Sequence, residues 1–315
     1  MGVELDRIRN FMEKLGIPGR DLYDLPTSTL SFPDGANYRI EIAGVERAST
    51  MEEMIKESHR RGLAIHRAIA AVGGSTYCDL QELKAMAEMA RDEKIEVIMT
   101  VGHRKGWDVG SKESSTSEGS MQGFRLRGSD NISYWIADMM RSIEAGFRGF
   151  LVYDEGVLGI LNKMRSENFI PSDTIFKFSV FGGYCSAAGA KLVESLGVNT
   201  MNPSSDVSLP ILASIRKAVK IPLDIYIIIV DSFGGMFRAY EAPEIIRVAS
   251  PVYLKFEPGT SEADIYKPWI SEDFHRNLIS QKVKIASIVH EIVEKHAPDL
   301  KMSKKGPADL ILPQP

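Results

Sequence analysis

Residues 223–257 read LDIYIIIVDSFGGMFRAYEAPEIIRVASPVYLKFE, and the order of these pieces decides the fold. Leu223 to Val230 is a short run of β-branched and aromatic residues, Gly234-Gly235 breaks it, Pro243 to Val248 has helical spacing, and Val252 to Glu257 is a second strand-like run. Two strands joined through a helix make a parallel crossover unit. Working back towards the N-terminus, the same unit repeats. Strands are expected at Tyr38 to Ala43, Ala64 to Ile69, Ile95 to Thr100, Phe150 to Asp154, Ile175 to Val180 and Asn199 to Asn202. Helices fall between them: one opening at Ser49-Thr50, then Asp79 to Asp92, Asn131 to Ala145, Val157 to Glu167, Ser186 to Leu196 and Leu209 to Val219, with a last one at Asn277 to Lys295.

Eight such units predict a single α/β domain over residues 1–315, a (β/α)8 TIM barrel with its core at about 38–297 and extra segments at both ends. A doubly wound open sheet uses the same units, but no G-x-G-x-x-G follows the first strand. The N-terminal stretch from Phe11 to Pro33 is expected either to cap the barrel bottom or to reach a partner.

Composition narrows the class. With 44% hydrophobic and 25% charged residues the chain is ordinary globular protein. A formal net charge of -4 supplies no basic footprint for nucleic acid, and no apolar run resembles a leader or a membrane span, so a cytoplasmic protein without membrane or nucleic-acid partners is expected. Cys78 and Cys185 are the only cysteines, too few and too far apart for a disulfide framework or a four-thiolate metal site.

Alternation along the strands predicts what enters the barrel. Outward apolar sets, such as Tyr38, Ile40 and Ile42 or Val252, Leu254 and Phe256, leave Arg39 and Glu41, Lys177 and Ser179, Asp224 and Tyr226, and Tyr253, Lys255 and Glu257 facing the lumen. A lumen this charged departs from the branched aliphatic layers of most barrels, and buried charge is costly unless paired. It forms either an internal ion-pair network or a polar site, and Glu41, Ser179 and Glu257 stand near the strand ends where barrel enzymes place chemistry.

Glu41, Lys177, Lys255 and Glu257 are therefore the candidate catalytic residues. Arg39, His103, Arg104, Ser179, Gly182, Gly183, Asn202, Tyr226, Gly234 and Gly235 are candidates to bind substrate, the glycine pairs because bare amides can approach an anion. Glu41, Asp154 and Glu257 are the candidate ligands of a divalent metal, and His66 and His103 candidates for acid–base work. The Gly/Ser-rich stretch from Val101 to Asp130 is a candidate lid.

The block from Gly189 to Ile229, containing LVESLGVNTMNPSSDVSLPILASIRKAVKIPLDIYIII, resembles the collagenase-like peptidases of family U-32. Leu196-Gly197 matches that family's turn, and Ser205-Asp206-Val207-Ser208-Leu209 its helix start. The resemblance implies a barrel enzyme with hydrolase ancestry, in a short branch without the clustered cysteines, so no iron–sulfur cluster is expected. Three functions follow from the residues and the resemblance together. One is a hydrolase, carboxylate- and metal-assisted, on a peptide or a small polar or anionic molecule. Another is a lyase, aldolase or isomerase using lysine chemistry on a small oxo acid or phosphorylated carbonyl compound. The third is a non-enzymatic binding barrel. Pairing of exposed helix faces makes a homo-oligomer a further expectation.

Overall fold

Buried strands flanked by crossover helices can satisfy every backbone amide only by pairing on both sides, and closing the sheet on itself removes the two edges. The computed structural model describes residues 2–102 and 125–314. In it β1 (Tyr38–Val45), β2 (Arg67–Ala70), β3 (Glu96–Met99), β4 (Gly149–Val152), β5 (Ile175–Phe178), β6 (Thr200–Met201), β7 (Leu223–Ile228) and β8 (Val252–Phe256) run parallel and close into a barrel in chain order. The closing seam sets Ile40 against Leu254 and Glu41 against Lys255.

The helices are α1 (Gly2–Lys14), α2 (Ala48–Arg61), α3 (Leu80–Asp92), α4 (Gly128–Glu144), α5 (Glu155–Ser166), α6 (Ala187–Ser195), α7 (Leu209–Ala218), α8 (Ala242–Ala249), the short α9 (Glu262–Ile265) and α10 (Glu272–His296). Asp79 caps α3 by accepting the Glu82 amide at 2.8 Å, and Ser186 caps α6 by accepting the Gly189 amide at 3.2 Å. The eight-unit count and the strand order hold, whereas several ends move. Strands two, three and six are shorter than their apolar runs, because those runs extend into turns. The last helix opens at Glu272 rather than Asn277, capped by Ser271 and carrying Glu272 and Asp273 in its first turn. The helix after the long Gly/Ser-rich stretch opens at Gly128 rather than Asn131. Most of the stretch expected to form a lid, residues 103–124, lies outside the described residues.

Two apolar layers result from the alternation. Tyr38, Ile40, Ile42, Phe176, Phe178, Ile225, Leu254 and Phe256 pack against the helices, while Ala43, Ile69, Ile98, Leu151, Val180 and Tyr226 form a smaller cluster within the upper barrel. Burying a side chain of this size contributes roughly 1.5–3 kcal/mol. Among the described residues no helix is long and apolar enough to cross a membrane.

Both terminal segments close the N-terminal end of the barrel. The chain after α1 crosses α7 and α8, where the Leu22 amide donates to Ser214 Oγ at 3.0 Å and the Ser28 amide to the Arg247 carbonyl at 2.8 Å. It then sets the Phe32 ring 3.9 Å from the Arg39 guanidinium. Over Leu22 to Phe32 the segment packs on the barrel as a cap. From the other terminus Asp309 grips Arg39 at 2.6 and 2.9 Å, and His66 Nε2 donates to the Ser303 carbonyl at 2.9 Å.

His66 Nδ1 accepts the Ile40 amide at 3.0 Å, so only the neutral ring fits, and burial pushes its pKa down to about 4. The unfolded chain takes up this proton near pH 6.5, the folded chain only near 4; stability is therefore lost as pH falls through that window, by about 3 kcal/mol at pH 4. Urea unfolding from pH 7.5 to 4 checks this: His66→Gln is expected to remove that part of the slope, and an unaltered slope would contradict it.

Candidate active site

Glu41 on β1, Lys177 on β5 and Asp224 on β7 come from strands that are not neighbours, so their side chains meet only across the lumen. Lys177 Nζ donates to both Glu41 oxygens at 2.7 Å and lies 3.1 Å from Asp224 Oδ2. Arg67 enters from β2, donating Nε to Glu96 Oε1 at 2.6 Å and one terminal nitrogen to Asp224 Oδ1 at 2.9 Å, Thr200 Oγ1 at 3.2 Å and Glu41 Oε2 at 3.3 Å. Its guanidinium stacks 3.6 Å from the Tyr253 ring centre. All five charged groups are buried.

Two carboxylates share Lys177, and their environments separate them. Burial raises Glu41, but Lys177, Lys255 and Arg67 more than reverse this and hold it below the usual carboxylate range. For Asp224 burial dominates, the Glu41 charge adds to it, and the group is raised despite Lys177 and Arg67. Asp224 Oδ2, close to the ammonium but off the hydrogen-bond direction, agrees with that. Lys177 itself is lowered, mainly by burial.

Above this tier lies a second one at the C-terminal end. Lys255 on β8, 3% exposed, donates a long hydrogen bond of 3.3 Å to Asn202 Oδ1, sits 4.2 Å from the Tyr226 ring centre and is 3.9 Å from Glu257 Oε2. Asn202 is itself fixed, its amide donating to the Asp224 carbonyl at 2.8 Å. Glu257 accepts the Tyr226 hydroxyl at 2.8 Å and the Tyr266 hydroxyl at 3.0 Å. Burial, reinforced by the Glu257 charge, lifts both tyrosines well above their ordinary value and keeps them neutral donors.

The structure thus brings Glu41 together with Lys177, and Lys255 with Asn202, Tyr226 and Glu257. It separates the others. Arg39 lies at the opposite end of the barrel under Asp309. Asp154 caps α5, accepting the Val157 amide at 3.1 Å. Ser179 accepts the Phe181 amide at 3.2 Å, Gly182 packs where a Cβ would strike the Phe178 ring, and Gly183, Gly234 and Gly235 turn the backbone at positive φ. His66 belongs to the bottom, and His103 and Arg104 lie outside the described residues. The three carboxylates considered for a metal are each engaged separately, and among the described residues no group of three or more His, Cys, Asp or Glu is placed to hold one.

Arg67, Glu96, Tyr266 and Lys282 were missed by the sequence reading. The inward parity of strands two and three would have given Arg67 and Glu96. Lys282, on the apolar stripe of α10 between Ile279 and Ala286, carried a signal of its own: a lysine where a core residue is due.

No family model matches the sequence, and no curated protein does. Among solved structures the chain is similar to an aldolase from Escherichia coli K12, at 13% identity over 84% of this chain and 93% of that one, with a TM-score of 0.48. A D-psicose 3-epimerase from Clostridium cellulolyticum H10 aligns at 11% identity over 80% and 99%, TM-score 0.44, and a U32 peptidase at 14% over 65% and 73%, TM-score 0.38. At these identities the likeness is one of fold and carries no activity across.

Breaking a buried pair by removing one partner costs about 3–5 kcal/mol. Lys177→Met and Glu41→Gln are expected to fall in that range in chemical denaturation. Asp224→Asn, which mimics the neutral form that burial favours, is expected to cost distinctly less than Glu41→Gln. The reverse order would show that the two carboxylates carry their charges the other way round.

Proposed function

We propose that the protein is a barrel enzyme in which Lys255 forms a covalent imine with a small carbonyl compound, a lyase or isomerase rather than a peptidase. The observation that carries this is the contrast between the two lumen lysines. Lys177 is locked by two 2.7 Å bonds to Glu41, whereas Lys255 holds one bond of 3.3 Å and leaves its carboxylate partner 3.9 Å away. An amine kept in position yet weakly engaged, at the C-terminal end of a barrel strand, is suited to nucleophilic attack.

Glu257 takes a proton from the Lys255 ammonium, and the free amine attacks the carbonyl carbon. The C–N bond forms as the carbonyl opens to an alkoxide, the attacking nitrogen passes one proton to that oxygen to make a hydroxyl, Glu257 returns the proton it took, and water leaves an iminium that draws electrons from the adjacent carbon. Breaking a C–C or C–H bond there gives the lyase or the isomerase outcome. Tyr226, donating to Glu257, holds that carboxylate during both transfers, and Asn202 fixes the approach of Lys255. The lower tier of Glu41, Lys177, Arg67, Glu96 and Asp224 is the rigid polar floor. The Tyr226 ring that faces Lys255 belongs to a small apolar cluster with Ile69, Ile98 and Leu151, an enclosed setting that favours a small compound over an extended peptide.

The U-32 resemblance favours hydrolysis, which needs an activated nucleophile or metal-bound water. Among the described residues neither the Ser179 hydroxyl, engaged with an amide, nor any carboxylate group provides one. The chain's similarity to that family is therefore read as kinship of fold.

Thermal-shift measurements with pyruvate, glycolaldehyde, dihydroxyacetone phosphate and related carbonyl compounds test the reading. A true ligand at a hundred times its Kd adds about 2.7 kcal/mol of stability. The shift is expected in the wild type and lost in Lys255→Met. A shift that survives in that variant, or one produced only by peptides, would overturn the reading.

A further inference from the structure

Lys282 starts outside the barrel and ends inside it. It is carried by α10, a helix of the outer ring, on the stripe occupied by Ile279, Val283 and Ala286, and its side chain is fully buried. Its ammonium donates to the Ala43 carbonyl and, at 2.9 Å, to the Tyr266 hydroxyl. The way in is made by β1. Pairing with β2 shifts register between Ala43 and Val45, and the residue between them, Gly44, has φ +78°. A Cβ there would fall 2.4 Å from Lys282 Nζ and 2.3 Å from the Tyr266 hydroxyl, so a bulge and a missing side chain together open the passage.

Hydrogen-bond direction then runs one way. Lys282 can only donate, so the Tyr266 oxygen accepts from it and must turn its own proton towards Glu257 Oε1 at 3.0 Å. The other Glu257 oxygen receives the Tyr226 hydroxyl at 2.8 Å. With an O–H donor on each oxygen the carboxylate is held in one orientation, 3.9 Å from Lys255.

We propose that Lys282 is a positioning residue for the chemistry at Lys255: through Tyr266 it fixes Glu257 as the carboxylate that receives the lysine's proton. The inference rests on the reading of Lys255 as the reacting amine. It also gives a use to a lysine that packing alone does not explain, since a methionine would fill the same stripe on α10 without a buried charge. Burial lowers the Lys282 pKa to about 8, while Glu257, Glu46 and Glu262 pull it up and Lys255 pushes it down further. Glu46 follows β1 and accepts the Val72 and Gly73 amides at 2.7 and 2.8 Å, and Glu262 lies on α9, so carboxylates surround the ammonium from three elements.

The test uses formaldehyde with sodium cyanoborohydride, the smallest carbonyl probe, followed by peptide mass spectrometry that reads methylation lysine by lysine between pH 6 and 10. In Lys282→Met the Lys255 rate at pH 7 is expected to fall roughly tenfold, the equivalent of one charge-assisted hydrogen bond, with its pH profile displaced upwards. Tyr266→Phe keeps the Lys282 charge and breaks only the chain, and is expected to give the same displacement. The double variant is expected to lose no more than either single one, because both act through one path. Lys282→Arg is expected to restore part of the rate. Melting temperatures recorded alongside separate this from loss of folding. Additive effects, or an unchanged Lys255 profile in folded Tyr266→Phe, would overturn the proposal. Because formaldehyde reports the amine whatever the natural substrate, Lys255 responding to this chain yet taking no metabolite carbonyl would overturn the imine reading instead.

Discussion

The salt link between Lys177 and Glu41 crosses the barrel from β5 to β1, and the rest of the lumen is arranged around it. A lysine placed among strands without its carboxylate would be an uncompensated buried charge, and so would the carboxylate without it. Arg67 and Asp224 join the same link, which makes the central tier one connected unit drawn from β1, β2, β3, β5 and β7. Most barrels fill this volume with branched aliphatic side chains. Here charged groups occupy it, and Ile69, Ile98 and Leu151 belong to a separate small apolar cluster with Ala43, Val180 and Tyr226. At the closing seam Glu41 of this tier is the register partner of Lys255 on β8.

A connected tier of this kind fixes geometry at the mouth. Asn202, held by the Asp224 backbone, is the step between floor and upper tier, and it accepts the one hydrogen bond that Lys255 donates among the described residues. Preorganisation of this sort is what nucleophilic catalysis asks of a protein, since a reacting amine has to be held without being neutralised by a close partner. The two lysines differ within one molecule: each is buried beside a carboxylate, and about 1.2 Å of extra separation leaves Lys177 closely paired and Lys255 loosely so.

How much of this was legible in the sequence depends on the kind of signal. The barrel followed from the repeat of strand and helix, and the inward residues of β1, β5, β7 and β8 from strict alternation. Helix starts were less visible at Gly128 and Glu272, where the first turn is polar and the apolar spacing begins later. Lumen residues were legible where a charge interrupts an apolar alternation, as at Glu41, Lys177 and Lys255. They were harder to see where strands are short: β2 and β3 have four residues each, so the parity that turns Arg67 and Glu96 inward runs over few positions. Arg39 has the same parity as Glu41, yet two residues along a strand separate the sealed bottom from the polar tier, and position along the barrel axis is set by packing of the terminal segments. Tyr266 and Lys282 reach Glu257 from a loop and an outer helix, a route no periodicity encodes.

The central claim is that Lys255 is the amine that meets substrate carbon. Incubation of the wild-type protein with a panel of small carbonyl compounds, reduction with sodium borohydride and peptide mass spectrometry reads this in one step. The account predicts a stable adduct on the peptide containing Lys255, of the mass of one reduced substrate, with Lys177 and Lys282 unmodified. An adduct on either of those lysines in place of Lys255, or none from any compound that stabilises the protein, would contradict it.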